Sequence, residues 1–239
     1  MNALGKVSAD APFRKSGNKP PRVEIERRDD GALILRNPHP LLTPPENLIA
    51  PFKRWAKEAP DRIWLAERVP GRDGWREVTY AQAFDLIGRI AAALIARGLS
   101  GNGAPLMILS GNSVDHALMT YGAILAGCPV APVSRAYSTL SSDFAKLKHV
   151  FSLVEPNAIW ADDLTPYAKG LSALDLSGVT LFHSVKGAEG FDSEPIAALL
   201  AEPGGAAAEA AYGRLSFDTV AKYLFTSGST GMPKAAINT

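Results

Sequence analysis

Cysteine is almost missing from this chain. Cys128 is the single one in 239 residues, so no internal disulfide can form. The four histidines, His39, His116, His149 and His183, stand far apart with no metal-ligand spacing, and no metal site is expected from them. An excess of one charge sign is also lacking. The formal net charge of +1 leaves no broad electrostatic footprint for nucleic acid. The first eleven residues lack the apolar core of a signal peptide, and a cytoplasmic location is the expectation. Ala117 to Ser134 runs eighteen positions without a charge, near the lower length limit for a membrane span. Gly127, Pro129 and Pro132 interrupt it, so the stretch reads as a buried helix followed by a buried strand. No internal repeat appears, and neither G-x-x-x-x-G-K-[ST] nor G-x-G-x-x-G occurs.

What remains is a chain 46% hydrophobic and 21% charged, enough for one large domain or two small ones. Residues 1–21 are polar, basic and proline-bearing, and are expected to be a flexible tail. Val23–Glu26 and Ala32–Leu35 flank the turn signal Asp30-Gly31 and predict a hairpin. Thr43-Pro-Pro-Glu46 has the form of a capping box opening a helix with Leu48, Ile49, Phe52, Trp55 and Ala56 on one face. Short strands are expected at Ile63–Glu67 and Trp75–Val78. A second capping box, Thr79-Tyr-Ala-Gln82, opens a helix that buries Ala83, Phe84, Ile87, Ile90, Ala91 and Leu94 and ends at Gly98.

From there strands and helices alternate. Strands are expected at Leu106–Leu109, Val130–Val133, Ala158–Ala161 and Val179–Phe182, and helices at Ser113–Ala126, Ser142–Val154, Pro166–Leu174 and Ser193–Ala201. Such alternation predicts an α/β fold, a mostly parallel sheet with helices on both faces. Pro203–Gly213 reads as an Ala/Gly-rich connector. Asn112 reads as a helix cap, His116 as a packing residue, and Asp162-Asp163 as a turn or cap. Ser110, Gly111 and Asn112 lie just past the carboxyl end of a strand, where open α/β sheets bind ligands.

The most informative stretch comes last. An apolar run, Val220–Phe225, stops at Thr226-Ser227-Gly228-Ser229-Thr230-Gly231, followed by Met232-Pro233-Lys234. Glycines let a ligand approach backbone N–H groups, hydroxyls rotate to meet an oxygen, and Lys234 adds a compact positive charge. Together these suit a polyphosphate.

The string Leu224-Phe225-Thr226-Ser227-Gly228-Ser229-Thr230-Gly231-Met232-Pro233-Lys234 resembles the signature of the adenylate-forming (AMP-dependent synthetase/ligase) superfamily. That family comprises acyl- and aryl-CoA synthetases, peptide-synthetase adenylation domains and luciferases. The Val23–Leu35 hairpin, Leu109–Ser113, Gly127–Val133 and Ala136-Tyr-Ser138 look most like feruloyl-CoA synthases, with weaker signals. Ala235 departs from the pattern, standing where the family usually has glycine.

The resemblance implies that Thr226, Ser227, Gly228, Ser229, Thr230 and Gly231 cradle the phosphates of ATP. Lys234 would neutralise charge in the transition state as the catalytic residue. It implies ATP, Mg²⁺ and coenzyme A as reactants, and a small carboxylic acid of hydroxycinnamate type as substrate. It further implies that residues 22–239 form an incomplete N-terminal subdomain of the AMP-binding domain, truncated and without the C-terminal domain. The signature strand would then expose its edge to strands from a missing C-terminal half, and the chain alone would be inactive. A non-catalytic nucleotide- or acyl-binding protein, half of a split enzyme, and an adenylation domain loading a carrier protein are the alternatives.

Overall fold

The computed structural model describes residues 22–69, 71, 73–101, 104–226 and 231–239. The chain divides into two compact units, the first ending at Pro44 and the second running from Pro45 to Thr239. In the first, β1 (Glu24–Arg27) and β2 (Leu33–Arg36) form an antiparallel hairpin with Ile25 opposite Leu35. Its turn is the expected one. Gly31 takes φ +85°, and Asp30 Oδ1 accepts the Ala32 N–H at 2.9 Å. Glu26 and Arg36, neighbours on one face, are ion-paired at 2.9 Å.

The second unit opens with α1 (Ala50–Glu58), six residues later than the Thr43 box would start it. Asn47 does the capping work instead, its Oδ1 accepting the N–H groups of Ile49 and Ala50, each at 2.9 Å. The antiparallel pair β3 (Ile63–Arg68) and β4 (Trp75–Thr79) forms a separate two-stranded sheet. The capping box expected at Thr79 is made on both sides: Thr79 Oγ1 accepts from the Gln82 N–H, and Gln82 Oε1 accepts from the Thr79 N–H. It starts α2 (Tyr80–Ala96), which ends in a glycine-dependent cap. There Gly98 (φ +70°) donates to the Ile95 carbonyl and Leu99 to the Leu94 carbonyl.

The remaining elements are β5 (Leu106–Ile108), α3 (Val114–Leu125), β6 (Val130–Pro132), α4 (Ala136–Thr139), α5 (Ala145–Val154), β7 (Ala158–Asp163), α6 (Ala168–Leu171), β8 (Thr180–Lys186), β9 (Glu194–Pro195), α7 (Ile196–Leu200), α8 (Gly205–Tyr212), β10 (Lys222–Thr226) and β11 (Lys234–Asn238). They build one sheet of seven strands in the order β11-β10-β6-β5-β7-β8-β9, parallel throughout except for the β10–β11 hairpin. Period-two alternation divides the core. Leu106, Ile108, Ala158, Trp160 and Phe182 face the helices α2, α3, α7 and α8. Met107, Leu109, Ile159, Ala161 and Leu181 face α5 and α6. The uncharged stretch from Ala117 resolves into the end of α3, a turn at Gly127 (φ +75°) and β6. Among the described residues no helix is long and apolar enough to cross a membrane.

Several expectations are corrected. The helix at Ser142 starts only at Ala145, because Phe144 sits in the left-handed region at φ +54°. The helix at Pro166 is a 3₁₀ turn (Thr165–Tyr167) followed by one turn of α6. Ser193–Ala201 first contributes the edge strand β9 before α7. The Ala/Gly connector contains the helix α8. Alanine favours helix, and small residues let α8 lie directly on α2. A Cβ added to Gly204 would stand 2.9 Å from the Gly88 carbonyl carbon. Finally, β10 does not present a free edge: β6 pairs with it on one side and β11 on the other. The outer position belongs to β11.

Candidate functional site

The signature residues lie on the β10–β11 hairpin. Thr226 ends β10, Lys234 begins β11, and the two are direct cross-strand partners, with Thr226 Oγ1 donating to the Lys234 carbonyl at 3.3 Å. Paired residues of an antiparallel ladder share a face. Thr226 and Lys234 therefore share one with Leu224 and Ala236, and both are exposed. Phe225 and Ala235 occupy the opposite face, and Phe225 packs into the core beneath α5. The methyl of Ala235 accordingly points away from the Thr226–Lys234 face, so this departure from the usual glycine does not crowd it. Gly231 is exposed, and a Cβ built on it would meet no atom of the described residues within 4 Å. Ser227, Gly228, Ser229 and Thr230 lie outside the described residues.

Among the described residues this face offers a polyphosphate one full positive charge, on Lys234, and an exposed glycine, Gly231, next to the carboxyl end of β10. No group of three or more His, Cys, Asp or Glu side chains among the described residues is placed to hold a metal ion.

Beside it the connections of the sheet diverge. The connection leaving β5 runs through α3 on one face of the sheet, and the one leaving β6 runs through α4 and α5 on the other. Ligand crevices of α/β sheets form at such divergences. Ser110 and Gly111 stand at the end of β5, and Ser134 and Arg135 follow β6. Ser110 Oγ donates to Asp162 Oδ2 at 2.7 Å, and Ser113 Oγ to Asp162 Oδ1 at 3.0 Å. Asp162 thus braces the β5–α3 loop, while Asp163 makes the expected turn, accepting the Thr165 N–H at 2.8 Å.

The helix cap is Ser113, whose Oγ accepts the His116 N–H at 3.0 Å; Asn112 is exposed and does not cap. Glu67 adds a second cap, its Oε2 accepting the Val114 N–H at 2.8 Å. Glu67 also pairs with Arg76, which bonds Asp115; the Asp115 bond chiefly raises the Arg76 pKa. His116 is a packing residue as expected: Nδ1 donates to the Gly111 carbonyl at 2.8 Å, and its ring meets Trp160 edge-on.

Two residues in this region were not singled out from sequence. Arg135 is exposed, lies against Gly111 and donates through Nε to the Tyr167 hydroxyl at 2.9 Å. Burial raises the Tyr167 phenol pKa, and Arg135 opposes it. His149 of α5 donates through Nε2 to the Pro233 carbonyl at 2.9 Å, one residue before Lys234. A lone histidine in a helical stretch gives no sign of a partner so distant in the chain.

A model of the family described as AMP-binding enzyme matches residues 52–239. No curated protein matches the chain. Among solved structures, the inhibitor-bound N-terminal domain of FACL13 from Mycobacterium tuberculosis is similar with a TM-score of 0.60 and 21% identity, over 81% of this chain and 44% of that one. The Klebsiella oxytoca NpsA N-terminal subdomain in complex with 3-hydroxybenzoyl-AMSN gives a TM-score of 0.56 and 21% identity, over 81% and 41%. The fatty acyl-adenylate ligase of L. pneumophila, in complex with acyl adenylate and pyrophosphate, gives 0.53 and 17%, over 78% and 29%. At these identities the likeness is one of fold. The chain spans less than half the length of each.

Proposed function

Because this chain belongs to the AMP-binding enzyme family, we propose that its β10–β11 hairpin holds the β- and γ-phosphates of ATP. The larger reaction it serves is activation of a carboxylic acid. The substrate carboxylate attacks the α-phosphorus, an acyl-adenylate forms and pyrophosphate leaves. A thiol then takes the acyl group and AMP leaves, with coenzyme A as the proposed acceptor. The observation that carries this reading is the Thr226–Lys234 pair, which sets a threonine and a lysine as cross-strand partners on one exposed face, flanking the glycine- and hydroxyl-rich signature. Negative charge grows on the departing pyrophosphate, so donors fixed before the reaction stabilise the transition state without reorganising.

In this proposal Ser227, Gly228, Ser229, Thr230 and Gly231 supply hydroxyl and N–H donors, Thr226 holds the base of the segment through its bond to the Lys234 carbonyl, and Lys234 supplies charge. Mg²⁺ would accompany the nucleotide and lower the charge of its phosphates. The proposed substrate class is an aromatic acid of hydroxycinnamate type. Its support is the sequence resemblance at Ala136-Tyr-Ser138 and the Val23–Leu35 hairpin, and the aryl ligand of the NpsA neighbour is compatible with it.

Calorimetric titration of the chain with ATP, pyrophosphate and AMP tests the phosphate reading. ATP and pyrophosphate are expected to bind, and Lys234→Ala to weaken both about tenfold or more while affecting AMP less. Absence of pyrophosphate binding to the unaltered chain would overturn it.

A further inference from the structure

The segment leading into Lys234 is held more firmly than a hairpin loop needs. Pro233 is buried and has no N–H to give the β ladder. Its carbonyl takes the His149 Nε2–H at 2.9 Å, and the next carbonyl, that of Lys234, takes the Thr226 hydroxyl. Two successive carbonyls are thus fixed by side chains from two different elements. A carbonyl only accepts, so the His149 proton sits on Nε2.

The mount of this donor is itself rigid. Leu147 and Val150 seat α5 on the sheet with no exposed surface. The turn before the helix is fixed as well: Ser141 Oγ accepts from the Phe144 N–H, and Asp143 Oδ1 from the Ala145 N–H. Phe144 adopts its left-handed conformation there, which a phenylalanine takes only when its surroundings impose it. His149 thereby couples a helix on one face of the sheet to the peptide preceding a lysine on the other.

We propose that His149 is a positioning residue for Lys234. Its imidazole fixes the Pro233 carbonyl, and so the backbone from which Lys234 reaches the polyphosphate. This inference rests on the phosphate reading above. A flexible lysine on a loose strand end would lose conformational freedom on meeting a phosphate; one on an anchored backbone loses less.

The test uses the full chain with inorganic pyrophosphate as probe, and peptide-level hydrogen exchange over residues 231–237. His149→Leu should speed exchange there about three- to tenfold, the effect of one lost hydrogen bond, and leave exchange within α5 unchanged. Its pyrophosphate Kd should rise by a similar factor. His149→Gln, which keeps a side-chain N–H donor, should recover most of both. In a Lys234→Ala background, His149→Leu should change the Kd less than twofold, because the effect passes through Lys234.

Pyrophosphate binding with no change in exchange or Kd for His149→Leu would overturn the proposal, as would a full effect in the Lys234→Ala background. If the unaltered chain binds no pyrophosphate, the phosphate reading fails, while the exchange data still judge the anchor. Should His149→Leu not fold, an NMR measurement on the unaltered chain decides. A His149 Nε2-bound proton protected from exchange supports the anchor, and its absence overturns it.

Discussion

Thr226 and Lys234 face any arriving anion with unequal strength. A unit charge pair at 4 Å is worth about 4 kcal/mol at an effective dielectric of 20, and a hydroxyl bonded to an anion about 1–3 kcal/mol. Lys234 is exposed, and screening narrows the margin. Lys234→Ala is therefore expected to weaken pyrophosphate binding more than Thr226→Ala or Ser229→Ala; equal losses would show that hydroxyls govern the contact. A different prediction concerns Cys128, buried between α3 and β6, where desolvation pushes the thiol pKa up to about 11. At pH 8 its alkylation in the folded chain should be about a hundredfold or more slower than in urea, as read by mass spectrometry. The sign for stability follows: the folded state holds the proton more tightly, so this group's contribution is flat below about pH 9. Between there and pH 11 it falls by about 1.4 kcal/mol per pH unit. Cys128→Ala should flatten that alkaline decline in denaturation midpoints.

The elements that surround the site owe their ends to specific side chains. Thr79 closes a complete capping box on α2, whereas the similar string at Thr43 makes none, since Asn47 caps α1. Thr79→Ala should cost about 1 kcal/mol, a fall in Tm of roughly 2–4 °C for a chain of this size, while Thr43→Ala should leave Tm unchanged. Thermal melts of the two variants side by side check this. The same local logic fixes α3, capped by Ser113 from within and by Glu67 from the β3–β4 hairpin. Ser113 ends the β5–α3 loop and Glu67 reaches the same helix start from β3, so this end of α3 is held both from its own loop and from a separate sheet.

Across the whole second unit, seven strands carry two cores, and β11 is the outer strand of the sheet on the hairpin side. Among the described residues β11 pairs with β10 alone, and Ile237 on it is 67% exposed. A strand edge beside exposed apolar side chains favours pairing between copies. The chain is expected to bind a hydrophobic dye and to self-associate with rising concentration. Ile237→Lys should lower both signals, measured by dye fluorescence and light scattering. A dye-silent monomer at all concentrations would remove the case for an adhesive edge.

Much of this protein was legible from sequence because it rests on local rules. The period-two and helical spacings of apolar residues reveal the alternating strands and helices, Asp30-Gly31 and Gly98 mark their turns, and Thr79 with Gln82 closes its box without help from afar. The string from Leu224 to Lys234 is likewise local, so a resemblance could be read directly. Where local signals competed, the tertiary structure chose. Small residues at 204–213 became a helix because α2 offered a surface close enough only for them, and Phe144 left the helix because its turn holds it at positive φ. The pairing of β10 with β6, the brace from Asp162 to Ser110, and the bond from His149 to Pro233 join residues far apart in sequence. No periodicity encodes such contacts. They exist because a parallel sheet brings the carboxyl ends of distant strands together, and packing then decides which side chains meet there.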